Sequence, residues 1–309
     1  MGPLRGPSVA ALAVLAGVCV SAQQPLRDRR PFKSGVEVTS ITATVTDKDG
    51  HLVTGLDQGV FEVFEDGERQ PVTQFTRQRV PISVSVLLDV SDSMYGQRVK
   101  DARAAVEHFL FDLLDQKDDE YSIVAFNHRA HVLTGWTHAP EVVRRALDSL
   151  RPSGGTAVYD AVLQALPLVA HRGRQRAAVL IISDGADTAS SASLRDVRSA
   201  LFRSDVFAYA IAIDPPDTRA INGRVNLEAL QTLTGETGGR VEVVRTSADL
   251  AAATSRIAEE LNSQYVLGYI SPRGADGQFH SIRVRVPGFE YRVRARNGYV
   301  AVPLAPGPH

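Results

Sequence analysis

Five residues carry oxygen donors at spacings that suit a hard metal ion. They are Asp89, Ser91 and Ser93 in the run Asp89-Val90-Ser91-Asp92-Ser93, Thr156 in Ser153-Gly154-Gly155-Thr156, and Asp184 in Ile182-Ser183-Asp184-Gly185. Carboxylates and hydroxyls are the donors that Mg²⁺, Mn²⁺ and Ca²⁺ prefer. Side chains spaced by two can turn toward one point as the chain leaves a strand. Two carboxylates match the charge of one divalent ion. Mg²⁺ usually keeps several waters, which leaves a coordination position for an outside ligand.

Other chemistry fits less well. Asp92 and Asp187, close to the five, read as solvated carboxylates. Ser153-Gly154-Gly155-Thr156 lacks the Gly-Lys-Ser/Thr ending of a phosphate loop. His108, His128, His131, His138 and His171 form no metal-ligand cluster, and Tyr95 and Trp136 sit in expected loops, where ordinary packing is the simpler reading. A phosphoryl-transfer hydrolase needs a second Asp two residues after the first and a Lys on the phosphoryl group. Here residue 91 is Ser, and no Lys follows Lys117. The Gly-x-Ser-x-Gly elbow of acyl hydrolases is absent after the leader. An enzyme is therefore not expected.

The elements that must position these residues alternate strand and helix from residue 82 onward. Ile82 to Leu88 runs into Asp89, and Ala177 to Ile182 runs into Ser183-Asp184; both are apolar runs of the kind found in strands buried on both faces. Further strands are expected at Tyr121–Phe126, Val206–Ile213 and Arg240–Val244, with helices over 97–115, 139–150, 157–170, 226–236 and 247–263. This is the pattern of an α/β fold: a doubly wound, mostly parallel sheet with helices on both faces. In such sheets ligands bind at the carboxyl ends of strands, where Asp89 and Asp184 lie.

The flanks are β-rich. Val36–Thr46, Val60–Glu65 and Val72–Phe75 precede the α/β region, with turns at Asp47-Lys48-Asp49-Gly50 and Asp66-Gly67. Tyr265–Ile270, Ser281–Val286 and Tyr291–Ala295 follow it, with a turn at Asp276-Gly277. About 44 residues are marginal for an independent core, so the two flanks are expected to pair into one small β domain. The expected organisation is a signal peptide at 1–22, a linker at 23–34, an N-terminal β segment at 35–78, the α/β domain at 79–263, a C-terminal β segment at 264–300 and a Pro-rich tail at 301–309.

The leader reading rests on Arg5, the apolar run Val9–Val20 and the small-residue site Val20-Ser21-Ala22. It implies an exported protein, periplasmic or extracellular, with an uncleaved N-terminal anchor as the alternative. Cys19, the only cysteine, lies inside the leader, so thiol, zinc-ribbon and iron–sulfur chemistry are excluded from the mature chain. With 34 Lys and Arg against 35 Asp and Glu, a net charge of -1 offers nothing to nucleic acid or an anionic membrane.

The order Asp89-x-Ser91-x-Ser93, Thr156 in a Gly-Gly-Thr loop and Asp184 in a Ser-Asp-Gly turn resembles the metal-ion-dependent adhesion site of von Willebrand factor type A domains, over about residues 80–263. The resemblance implies that Ser91, Ser93 and Thr156 bind the metal directly or through water. Asp89 and Asp184 would complete the shell, and an acidic group of a partner would fill the open position. Asp47-Lys48-Asp49-Gly50, Phe61 to Gly67 and Arg294 to Tyr299 are similar to segments of exported bacterial proteins, common in acidobacteria, that wrap β strands around such a domain. The expected function is a cation-dependent protein-binding module with Mg²⁺, or Mn²⁺ or Ca²⁺, as cofactor. Its partner is a protein that supplies a carboxylate, and no small-molecule substrate is expected. The alternatives are a structural envelope protein with a stabilising cation and, further off, a Mg²⁺-dependent hydrolase.

Overall fold

The computed structural model describes residue 2 and residues 38–170, 176–213 and 226–302. Apart from residue 2, the expected leader and linker lie outside them, as do the end of the tail and His171.

The first strands are β1 (Val38–Thr46), β2 (Glu62–Glu65), β3 (Glu68–Gln70) and β4 (Gln74–Thr76). The last are β11 (Tyr265–Ile270), β12 (Phe279–Arg285), β13 (Arg292–Ala295) and β14 (Gly298–Val300). They interleave into two four-stranded sheets, ordered β13-β1-β11-β4 and β14-β12-β2-β3. Ile41 sits opposite Leu267, and Val63 opposite Val284. The expected pairing of the two flanks is thus observed. Between them lies an apolar core that includes Ile41, Val63, Tyr265, Leu267, Tyr269 and Val284.

The flanks differ from expectation in two strands: β14 was not expected, and the first hairpin closes differently. The return strand after Asp66-Gly67 is β3, not Val72–Phe75. Asp66 and Gly67 both take positive φ, 48° and 83°, as a two-residue hairpin turn requires, so pairing begins at once with Glu65 opposite Glu68. Pro71 has no N–H to donate to the ladder, and the chain leaves the hairpin there. β4 joins the other sheet, beside β11.

The α/β region is built on β5 (Ser83–Asp89), β6 (Glu120–Phe126), β7 (Ala130–Thr137), β8 (Ala177–Ser183), β9 (Val206–Ile213) and β10 (Val241–Val244), in the order β10-β9-β8-β5-β6-β7. All neighbours are parallel except β6 and β7. Every residue of β5, β6, β8 and β9 is buried, as parallel strands covered on both faces should be. β7 was not expected. It is an antiparallel edge strand, mostly half-buried, and its mixed sequence gives no apolar run.

The helices are α1 (Gln97–His108), α2 (Pro140–Ser149), α3 (Val158–Ala170), α4 (Leu194–Phe202), α5 (Leu227–Thr237) and α6 (Ser247–Asn262). α1 widens into a π-turn at Phe109–Leu113, so the expected helix over 97–115 is not uniform. α4 was missed, although its capping box, Ser193 with Asp196, is a helix-start signature. Val84, Val86 and Leu88 of β5 pack with α1, α2 and α6 on one face. Leu87 packs with α3, α4 and α5 on the other. The strand order reverses at β5, between β6 and β8, which opens a crevice at the carboxyl ends of β5 and β8. Among the described residues no helix is long and apolar enough to cross a membrane.

Candidate metal centre

β5 and β8 lie side by side and end at the same edge. Asp89 closes β5 and Asp184 follows β8, and both are fully buried. The Ser183 hydroxyl donates to Asp89 Oδ2 at 2.5 Å, and the Ser91 amide donates to Asp89 Oδ1 at 2.8 Å. A 3-10 turn at Asp92–Met94 then folds the chain back over the strand end. It brings Ser93 Oγ to 3.0 Å from Ser91 Oγ. The Ser93 hydroxyl donates in turn to Asp184 Oδ1 at 2.6 Å.

The Gly-Gly-Thr loop is sewn to this turn by backbone hydrogen bonds. Asp92 N–H donates to Gly154 O at 2.9 Å, and Ser153 N–H to Val90 O at 2.8 Å. Thr156 is buried, and its backbone bonds to Thr188 from both sides. A Cβ placed on Gly185 would sit 3.2 Å from Thr156 Oγ1, so the Thr156 hydroxyl lies over the turn that follows Asp184. All five residues singled out in the sequence therefore meet at one edge of the sheet.

The electrostatics of this edge are unusual. Burial pushes the Asp89 carboxyl up to about 6, against the hydrogen bonds from Ser183 and Ser91, and the nearby Asp184 adds to the rise. The groups that reach Asp89 are hydroxyl and amide donors. The donor set as a whole is all oxygen, largely desolvated and doubly negative, which is the chemistry a hard divalent cation fits.

One participant escaped the sequence reading. Arg98, in the first turn of α1, donates from Nη1 to Ser93 O at 2.8 Å, and the same nitrogen lies 3.3 Å from Asp184 Oδ2. Its only local signal is its place just after Gly96, whose φ of 84° turns the chain into α1.

Other readings change or stand. Asp187 is not a solvated carboxylate: it accepts from Tyr159 N–H at 3.0 Å and from the Ser190 hydroxyl at 2.6 Å, tying the loop after β8 to the start of α3. Asp92 is exposed, as expected. Trp136 lies in β7 rather than a loop, and its ring N–H donates to Leu168 O. Tyr95 is 79% exposed beside the site, so it does not serve packing. Among the described residues, Asp47, Asp49 and His51 gather at the turn after β1. Asp47 is already committed there to the Asp49 and His51 amides.

Comparison with known proteins bears on the same region. Residues 84–186 match the family model of the von Willebrand factor type A domain. The chain is 22% identical over 201 residues to inter-alpha-trypsin inhibitor heavy chain H2 of Mus musculus, covering 60% of this chain and 20% of that protein. It thus spans about a fifth of that relative's length. Among solved structures, a von Willebrand factor type A protein from Catenulispora acidiphila is similar over 88% of this chain and 75% of its own, at 14% identity and a TM-score of 0.52. An aerotolerance-related membrane protein from Bacteroides fragilis is similar over 59% of this chain and 98% of its own, at 20% identity and a TM-score of 0.50. At these identities the two structures speak to the fold.

Proposed function

From a chain that carries a von Willebrand factor type A domain, a family of protein-interaction modules, we propose an exported protein-binding module whose adhesion depends on a divalent cation. The observation that carries this reading is the meeting of Asp89, Ser91, Ser93, Thr156 and Asp184 at the carboxyl edge of β5 and β8. Ser91, Ser93 and Thr156 would hold the ion directly or through water, and Asp89 and Asp184 would supply the negative charge. When bound, Mg²⁺ or Mn²⁺ offers a partner's carboxylate a Lewis-acidic position. The protein fixes the donors with the short hydrogen bonds of the edge and excludes water from Asp89. Export rests on the apolar leader up to Ala22.

Calorimetry with Mg²⁺ and Mn²⁺ tests the metal directly. Wild type should bind one ion, and Asp89→Ala should bind none. An ion at 100 times its Kd should stabilise wild type by about 2.7 kcal/mol, lost in EDTA. A wild type that binds neither ion ends the proposal.

The burial of Asp89 favours a second reading, in which the cation only stabilises a structural protein. In that case the melting rise would remain, but a pull-down in Mg²⁺ would recover nothing that EDTA releases. No comparable observation favours catalysis: Ser91 holds the position where a phosphoryl-transfer hydrolase needs its second Asp.

A further inference from the structure

Tyr95 contrasts with the residue before it. The Met94 side chain is wholly buried, yet Tyr95 is 79% exposed. It is the most open of the exposed large hydrophobic side chains among the described residues. The next, Phe289, is 53% exposed, and its ring stacks on Tyr291. The Tyr95 side chain has no hydrogen bond and no ring contact among the described residues. Exposure by itself would say little, since single apolar side chains are common on protein surfaces. The mount of this one sets it apart.

Tyr95 closes the 3-10 turn that follows Ser91 and includes Ser93. Its N–H donates to Asp92 O at 3.2 Å, and the Met94 N–H to Ser91 O at 3.0 Å. The Asp92 N–H is bonded in turn to Gly154 O, which ties the turn to the Gly-Gly-Thr loop. Two residues of chain span at most about 7 Å, so the Tyr95 Cα lies no further than that from the Cα of Ser93. Gly96 then turns away with a φ of 84°, into open space. A bare aromatic ring is thus held on a rigid turn at the rim of the five oxygen donors. Such a ring has only two torsions to fix when something covers it, so covering it costs little entropy. A group lying beside a bound cation gains nothing by carrying a second positive charge. An aromatic group carries no charge for the ion to repel, and it gains from ring contact beyond the area it buries.

We propose that Tyr95 is a specificity residue of the metal edge: the loaded site selects a carboxylate that carries an aromatic group a few bonds away, as in an acidic protein segment with an aromatic residue beside the acid. The carboxylate sits on the metal and the aromatic group on the Tyr95 ring. This inference rests on the cation-dependent reading above. A Tyr95 that only shaped the turn would act differently. Its loss would weaken metal binding, whereas the proposed role leaves the metal in place and removes the choice between carboxylates.

The test uses the full chain, Mn²⁺ and three carboxylates: acetate, 3-phenylpropionate and β-alanine, which carries an ammonium in place of the phenyl ring. Calorimetry gives the Kd for Mn²⁺. Water-proton relaxation of the Mn²⁺-loaded protein gives the affinity for each carboxylate, which displaces metal-bound water. Wild type should bind 3-phenylpropionate about fivefold more tightly than acetate, and β-alanine no more tightly than acetate. Tyr95→Ala, a change at the surface, should bind Mn²⁺ within about twofold of wild type and bind acetate and 3-phenylpropionate within about twofold of each other. Tyr95→Phe, which keeps the ring, should keep the preference. A wild type without the preference overturns the role of Tyr95, as does a preference that survives in Tyr95→Ala or is lost in Tyr95→Phe. A larger loss of Mn²⁺ affinity in Tyr95→Ala overturns it too, as does β-alanine that binds as tightly as 3-phenylpropionate or wild-type protein that takes up Mn²⁺ but no carboxylate. A wild type that fails to bind Mn²⁺ overturns the metal reading beneath it, and is told apart by that first titration.

Discussion

Two buried carboxylates, Asp89 at the carboxyl edge of the sheet and Glu260 on α6, have opposite surroundings. Glu260 is 1% exposed. Its Oε1 accepts from the Tyr209 hydroxyl at 2.8 Å and the Thr44 hydroxyl at 3.2 Å. Its Oε2 meets Arg294 Nη2 at 2.6 Å and Arg240 Nε at 3.0 Å. The charge is matched inside the molecule, by groups from β1, β9 and β13 and by the residue just before β10. Glu260 therefore joins the flanking sheets to the α/β domain. Asp89 is as deeply buried, but its partners are a hydroxyl and an amide. A carboxylate with its cations built in serves assembly, whereas one surrounded by neutral donors has the surroundings that the proposed cation site requires.

Removing Glu260 is the most damaging change this comparison predicts. Glu260→Ala removes the carboxylate shared by Arg240 and Arg294, each about a third exposed, and leaves the buried Tyr209 hydroxyl without its acceptor, which costs about 2–3 kcal/mol. Urea unfolding should show that loss equally with Mg²⁺ and with EDTA, while the Kd for Mn²⁺ stays within about twofold of wild type. A loss below about 1 kcal/mol would mean that the joint contributes little beyond packing.

The difference between the two regions also decides what could be read from sequence. The meeting of the five oxygen-bearing residues at one sheet edge was legible because they lie in short loop patterns whose chemistry is local, with Asp89 and Asp184 directly at strand ends. The α/β order was legible from apolar runs such as Ala177 to Ile182. The joint was not. Thr44 and Glu260 are 216 residues apart, and nothing near either one points to the other. Arg98 was hidden for a related reason: in the run Arg98-Val99-Lys100 it reads as one more solvent-facing cation of a helix, and only the fold sets it against Asp184. β7 escaped because a half-buried edge strand needs no apolar run, and the return of the first hairpin was hidden because Glu68–Gln70 is short, polar and ended by Pro71.

Neutralising each carboxylate sharpens the contrast, because the signs differ. Asp89 has its folded carboxyl raised to about 6 by burial, above the ordinary 3.8. A raised carboxyl means that the ionised form is disfavoured in the folded state, so at pH 7 without metal Asp89 destabilises the protein. Asp89→Asn should therefore gain about 1–3 kcal/mol in EDTA while abolishing Mn²⁺ binding. Glu260→Gln, which removes a charge that two guanidiniums need, should lose stability under the same conditions. Melting curves of the two variants in EDTA that shift in the same direction would erase the distinction drawn here.

The smallest effect concerns His280 in β12, a buried imidazole whose carboxylate partners Asp66 and Asp276 are partly exposed. Its Nδ1–H donates to Asp66 Oδ2 at 2.8 Å and its Nε2–H to Asp276 Oδ1 at 3.1 Å, with Arg273 3.6 Å from Asp66. Burial works against the charged imidazole, but the hydrogen bonds to Asp66 and Asp276 outweigh it and hold its pKa above the usual histidine value. The two carboxyls are held below theirs, Asp66 first by His280 and Asp276 first by the Gln278 amide and then by His280. The histidine contribution is complete below about pH 6.5 and fades as pH rises through the raised pKa. The carboxylate contribution is present above about pH 3.8 and fades as pH falls. The cluster thus stabilises most between those limits. Being partly solvated, it should be worth far less than the Glu260 joint, about 1–2 °C in Tm. The Tm gap between wild type and His280→Asn, both carrying Asp89→Asn to silence the buried carboxyl and both in EDTA, should be widest near about pH 5.5 and narrower at about pH 8. A gap that stays constant across that range would show that His280 acts by shape alone and that its charge does not matter.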